Sequence, residues 1–168
     1  MKTLLFLRHG KSDWSADYDG DHERPLKKRG RKDAQRVGRL LAGAGPMPDF
    51  VLCSTAVRAR KTLAHAAKGG AWPAVETRET GVLYEAEPEA VLAEIRQVPD
   101  AAGVLLLVGH DPAWSEAAGR LVGLDQLRLK TAALARIDVE VDAWRDVAFG
   151  GGTLVWLVPP KLLRAVED

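Results

Sequence analysis

Cysteine is nearly absent: Cys53 is the single one in 168 residues. That excludes an internal disulfide framework and points to a reducing compartment, with the cytoplasm as the expected location. Charge of one sign is not in excess either, because 24 Lys and Arg face 23 Asp and Glu for a formal net charge of +1. No overall field draws such a chain to nucleic acid or to a membrane surface, so neither is expected as a partner. No stretch approaches the roughly 20 apolar residues of a membrane span, and the first residues reach Arg8 and His9 without a small-residue cleavage site. Internal repeats and low-complexity segments are lacking. His22 and His65, taken with Asp13 or Cys53, show no metal-ligand spacing, so no metal and no cofactor is expected.

What is present reads as one globular domain spanning 1–168, since a chain of this length can bury one substantial core. Thr3 to Leu7 is a continuous apolar run, the pattern of a strand covered on both faces, and it ends in Arg8, His9 and Gly10. The segment from Lys11 to Lys28 is polar without apolar period and reads as a surface excursion able to cover a site. Ala34, Val37, Leu40 and Leu41 recur at helical spacing between Gly30 and Gly45, where Gly43 and Gly45 with Pro46 and Pro48 supply a stop. A second strand over Phe50 to Cys53 leads through Ser54 into a helix over Ala56 to Ala67 that carries Arg58 near its start. A short strand near Val75 and a helix over Pro88 to Val98 follow. Val104 to Val108 is the strongest buried strand and ends in Gly109, His110, Asp111 and Pro112, where a fourth helix is expected with Asp111 as its cap. Leu134 to Val141 and Thr153 to Val158 close the chain as two strands.

Alternating strands and helices predict a three-layer α/β/α sandwich with a largely parallel central sheet. Ligands in such sheets bind beyond the carboxyl ends of the strands. Three ends here carry Arg8 with His9, Ser54 followed by Arg58, and His110. Arginine offers a planar fork that fits phosphate oxygens, and a neutral imidazole can attack phosphorus. The two arginines would also depress the His9 pKa by like-charge repulsion. Each residue alone is weak evidence; the combination at strand ends points to phosphoryl chemistry. Cys53 stands one residue too close to Arg58 for a Cys-x5-Arg loop and reads as core. The triple glycine at 150–152 leads into a strand and lacks the setting of a phosphate loop. The basic run Lys27, Lys28, Arg29, Arg31 and Lys32 reads as a solvated helix start, with steering of an acidic substrate as its alternative.

Leu5-Phe6-Leu7-Arg8-His9-Gly10 resembles the signature of the histidine phosphatase superfamily, which has the phosphoglycerate mutase-like fold. Lys11-Ser12-Asp13-Trp14, Arg24-Pro25-Leu26 and the short chain without a large inserted cap resemble its SixA-like phosphohistidine phosphatase branch. Thr131-Ala132-Ala133 and the final strand fit the same pattern. The resemblance implies that His9 is the phosphorylated nucleophile and Arg8 its partner on phosphate. Ser54 to Ala59 is similar to a Ser-Pro-x-x-Arg-Ala element, making Arg58 the second arginine. Gly109 to Pro112 is similar to Gly-His-Asn-Pro, making His110 a donor to the transferring phosphoryl group. Two positions depart from these elements: Thr55 replaces proline and Asp111 replaces asparagine. Glu85 stands about where related phosphatases carry an acidic proton donor, its alternative being a solvated turn residue. The implied activity is a metal-independent phosphatase with a phosphohistidine enzyme intermediate. Its expected partner is a phosphorylated protein, with small phosphate monoesters as the alternative substrates and a non-catalytic phosphate-binding module as the alternative of another class.

Overall fold

The computed structural model describes residues 1–167. Six strands, β1 (Lys2–Arg8), β2 (Phe50–Ser54), β3 (Glu76–Thr80), β4 (Val104–Gly109), β5 (Leu134–Val139) and β6 (Gly152–Val158), form one sheet in the order β3-β2-β4-β1-β5-β6. The first four in that order are parallel, and β5 and β6 complete the sheet antiparallel to their neighbours. The helices are α1 (Lys28–Ala44), α2 (Val57–Gly70), α3 (Pro88–Ile95), α4 (Ala113–Leu121) and α5 (Pro160–Glu167).

Strand periodicity sorts them into layers, because successive side chains point to opposite faces. Leu4 and Phe6 of β1 join a core with Val91, Leu92 and Ile95 of α3 and Trp114 and Ala118 of α4. Leu5 and Leu7 join the opposite core with Val37 and Leu41 of α1, Ala59 of α2 and Leu163 of α5. The sheet is therefore covered on both faces, as a fully apolar β1 requires, and the three-layer expectation holds. Each fully buried Leu or Phe contributes about 1.5–3 kcal/mol, more than helix propensity offers per residue, so burial fixes the helices. Among the described residues, no helix is long and apolar enough to cross a membrane.

Several elements differ from the sequence reading: α2 runs past Ala67 to Gly70, and β5 stops at Val139, short of Val141. α3 stops at Ile95, short of Val98, since Val98 precedes Pro99 and that setting disfavours helical backbone. α5 was not expected. Its eight residues bury Pro160 and Leu163 while Leu162 and Val166 stay exposed, a pattern too short to stand out by period alone.

The topology brings the chemistry together. β1 pairs with β4 on one side, and β4 pairs with β2, with Arg8 opposite Gly109 and Cys53 opposite Val108. Three neighbouring parallel strands thus end at the same level, and the residues leaving them share one edge of the sheet.

Candidate active site

Arg8, His9, Lys11, Ser12, Arg24, Arg58, His110 and Asp111 face one polar cavity of about 290 Å³ at that edge, with Trp14 and Thr131. All four residues expected from the strand ends are therefore assembled in one place. His9, Arg58 and His110 are nearly fully buried, at 6%, 5% and 6% exposure.

His9 is fixed by its neighbours. Its N–H donates to the Gly109 carbonyl at 2.9 Å, and its carbonyl, with that of Arg8, receives the Ala132 N–H at 3.0 Å. The turn after β1 also requires glycine, because a Cβ on Gly10 would lie 2.7 Å from the Gly30 carbonyl oxygen of α1. The His9 Nδ1 lies 2.7 Å from the Gly10 carbonyl. A carbonyl only accepts, so Nδ1 carries the proton and Nε2 keeps its lone pair. Burial pushes the His9 pKa down to about 3, opposed by the Gly10 bond and aided by His110, Arg58 and Arg8. The expected charge repulsion from the arginines is present, but it ranks behind desolvation. The imidazole is neutral and has a defined tautomer.

Arg58 enters from the first turn of α2. Thr62, one turn further on, accepts the Gly10 N–H at 2.9 Å and donates to the Arg58 carbonyl at 2.7 Å, which ties α2 to the His9 turn. The guanidinium gives Nη1 to the Asp21 carbonyl at 2.7 Å and Nη2 to the Asp21 carboxylate at 2.9 Å. Arg8 donates to the Leu129 carbonyl at 2.9 Å and lies 3.4 Å from the Asp111 carboxylate.

His110 follows β4, its ring centroid 5.2 Å from that of His9. Its Nε2 lies 2.8 Å from the Ser54 hydroxyl, which already accepts the Ala56 N–H. When the hydroxyl points its hydrogen at Nε2, the His110 proton sits on Nδ1. Burial, with Arg58 next, pushes the His110 pKa down to about 4. Among the described residues, four buried side-chain nitrogens lack a protein partner, and three of them are Arg8 Nε, Arg58 Nε and His110 Nδ1. Buried donors left unmatched cost roughly 1–3 kcal/mol each, so their concentration around one cavity marks a place built for an acceptor-rich ligand.

Both departures from the motif elements are accommodated. Thr55 receives or gives a hydrogen bond at 2.9 Å to His22 Nε2, a contact proline lacks the group to make. The Asp111 carboxylate takes the Ser115 N–H at 3.1 Å and the Ser115 hydroxyl at 2.8 Å. It therefore binds the helix start as expected, although α4 begins one residue later, at Ala113, with Pro112 as the residue before it. Its second oxygen also faces Arg8, so it is a wall of the cavity as well as a cap.

The sequence reading missed the support on the far side. Arg24 is 4% exposed, donates from Nε to Ser12 at 3.0 Å, pairs with Asp21, and lies 3.6 Å from the Trp14 ring centroid. The Tyr84 hydroxyl donates to Asp21 at 2.6 Å, and its ring meets His22 and His110 edge-on. These bonds, the one from Tyr84 foremost, hold the Asp21 carboxyl down at about 2. His22, considered in the sequence as a metal ligand and set aside, is part of this rim. Arg24 could have been flagged as an arginine in a polar excursion; nothing local signals Asp21 or Tyr84.

Glu85 is exposed and stands on an adjoining cavity that shares Arg58, His110 and Asp111 with the first. Its backbone is left-handed, φ 57°, an unfavourable region for a non-glycine residue and one found more often near functional sites. Cys53 is buried in the core, and burial pushes its thiol up to about 12, which leaves no reactive thiolate. His65 lies on α2, within 3.5 Å of Gln35. Among the described residues, no group of three or more His, Cys, Asp or Glu side chains converges as a metal site would require.

Comparison with known proteins follows the same lines. Residues 4–86 match the family model described as histidine phosphatase superfamily (branch 1). An uncharacterized protein of Mycobacterium tuberculosis is 38% identical over 165 residues, covering 92% of this chain and 100% of that protein. The structure of a putative phosphohistidine phosphatase SixA from Nakamurella multipartitia is 31% identical, covers 95% of this chain and 96% of its own, and superposes with a TM-score of 0.83. A structure of the protein histidine phosphatase SixA complexed with tungstate, 22% identical over 96% of this chain and 99% of its own, shares the fold with a TM-score of 0.82.

Proposed function

This chain belongs to the histidine phosphatase superfamily, in its SixA-like branch, and on that premise we propose that it removes phosphate from phosphohistidine in proteins through a phosphorylated His9. The observation that carries this reading is the set of unpartnered buried nitrogens, Arg8 Nε, Arg58 Nε and His110 Nδ1, around an imidazole whose Nε2 lone pair is free.

The His9 Nε2 lone pair attacks phosphorus as the bond to the leaving nitrogen breaks, and that imidazole takes one proton from solvent, which the later hydrolysis step returns. Arg8 and Arg58 meet the phosphoryl oxygens as charged forks, and His110 donates to the charge that builds during transfer. A water then attacks the phosphorus on His9, releasing inorganic phosphate and restoring the lone pair. No step calls for a metal, since the guanidiniums supply the positive charge. Tungstate is tetrahedral and anionic like phosphate, and its presence in a structure of the same fold supports an oxyanion site here. Glu85 serves as proton donor when the leaving group is an alkoxide, which departs poorly without one. The cytoplasm suits a chain whose one thiol is buried and unpaired.

The test is a side-by-side assay of a phosphohistidine protein and a panel of small monoesters, each with and without EDTA. The reading expects the phosphohistidine protein to give the highest kcat/KM and EDTA to have no effect. Preference for a small monoester would assign the alternative substrate class. Loss of activity in EDTA, restored by a divalent ion, would overturn metal independence.

A further inference from the structure

A second cavity of about 320 Å³ adjoins the catalytic one, and Thr131 lines both. Four cations surround it: Arg29 from the first turn of α1, Lys130 from the loop before β5, and Lys161 and Arg164 from α5. One carboxylate, that of the buried Asp33, lies among them, 2.7 Å from Arg164 and 3.9 Å from Arg29, and it already receives Arg36 at 3.0 Å. Lys130 and Lys161 are exposed and have no acidic partner among the described residues. Pro159 and Pro160 give the groove an apolar wall with no backbone N–H to be left unmet when it is covered.

The charge here works against the fold. The first turn of α1 has no acidic residue and no side-chain cap, while Lys27, Lys28, Arg29, Arg31 and Lys32 crowd the positive end of its dipole, all of them exposed. Cations at that end are disfavoured by about 0.3–1 kcal/mol each. In a chain whose overall charge is only +1, the surplus is local. The other adjoining cavity, next to Tyr84, is lined by Asp21, Glu85, Glu87 and Asp111 with Arg58 and His110, so carboxylates gather there and cations around the groove.

We infer that this groove binds an acidic segment of the phosphorylated protein, next to the phosphohistidine held at His9. This rests on the protein-phosphohistidine reading and adds to it a sequence preference. The catalytic cavity holds the phosphoryl group, Thr131 marks the passage out of it, and carboxylates of the flanking chain meet Lys130, Lys161 and Arg29. Exposed ion pairs of this kind contribute modestly to affinity, are weakened by salt and favour encounter more than turnover.

The experiment uses the full chain and three substrates: a phosphohistidine peptide with Glu residues flanking the histidine, the same peptide with Gln in their place, and para-nitrophenyl phosphate. At low salt the acidic peptide is expected to have a kcat/KM roughly 5- to 10-fold above the neutral one, carried by KM, and 0.5 M NaCl should abolish the difference. The double variant Lys130→Gln with Lys161→Gln should bring the acidic peptide to the level of the neutral one and leave the neutral peptide and the monoester unchanged. Equal kcat/KM for the two peptides with the unsubstituted protein overturns the groove assignment alone. So does a double variant that lowers all three substrates together. Inhibition by duplex DNA or anionic vesicles as strong as that by the unphosphorylated acidic peptide would assign the groove to polyanions in general and overturn it too. Turnover of the monoester with neither peptide hydrolysed overturns the phosphohistidine reading itself and, with it, the groove proposal.

Discussion

Asp21 grips Arg58 through main chain and side chain at once, its carbonyl taking Nη1 at 2.7 Å and its carboxylate taking Nη2 at 2.9 Å. The same carboxylate receives Tyr84 and Arg24. An arginine that lines the cavity from the start of a helix is thereby oriented by a loop 37 residues earlier in sequence, and a fixed negative charge stands beside that cavity.

That arrangement has two opposing effects, and Asp21→Asn separates them. Asparagine keeps an acceptor for Arg58 and Tyr84, and the main-chain contact is untouched. Removing one negative charge at this range should tighten inhibition by tungstate on the order of 5-fold. Weaker inhibition would show that the charge serves mainly to orient Arg58.

His9→Ala should lower kcat by on the order of 10³-fold or more while the circular dichroism spectrum and melting temperature stay close to those of the unsubstituted protein. Acid-labile phosphate should be trapped on the unsubstituted protein and be missing from the variant. Phosphate trapped on any other residue would reassign the nucleophile.

Arg58→Lys keeps the charge and discards the fork. It should reduce kcat/KM by about 100-fold or more, because an ammonium offers no planar pair of donors to two phosphoryl oxygens. Kinetics within a few-fold of normal would remove Arg58 from phosphate binding.

The histidines set a pH signature. Burial holds the His9 pKa near 3 and that of His110 near 4, below the ordinary 6.5. The unfolded chain therefore takes up protons at these positions first, and stability falls as pH drops from about 6.5 towards 3. The Asp21 carboxyl, held near 2, adds to the loss as pH falls below its ordinary range. Proton NMR of the free protein at pH 5.5 should show both site imidazoles neutral. An imidazolium at His9 under those conditions would contradict a buried, neutral His9.

Glu85→Gln should cut hydrolysis of alkyl phosphate monoesters by about 100-fold and spare phosphohistidine far more, because imidazole leaves with less help than an alkoxide. Small, equal effects would make Glu85 an exposed turn residue. Large, equal effects would remove the distinction between leaving groups.

The sequence by itself determined the frame and the four central groups. The apolar runs ending in Arg8-His9-Gly10, Ser54 and Gly109-His110 are local signals: continuous burial specifies a strand within a few residues, and the polar residue after it must sit at the strand's end. The core position of Cys53 was legible for the same reason. Pairing was not local. That β4 inserts between β1 and β2, bringing His110 within 5.2 Å of His9, depends on which strand ends register with which, and only the folded sheet decides that. Asp21 and Tyr84 were beyond sequence reasoning because their roles exist only across contacts such as the 63-residue separation between them. The depressed histidine pKa values belong with them. Like-charge repulsion could be read from Arg8 and Arg58 in the sequence, but desolvation is the larger cause, and burial is a property of the packed chain and of no residue in it alone.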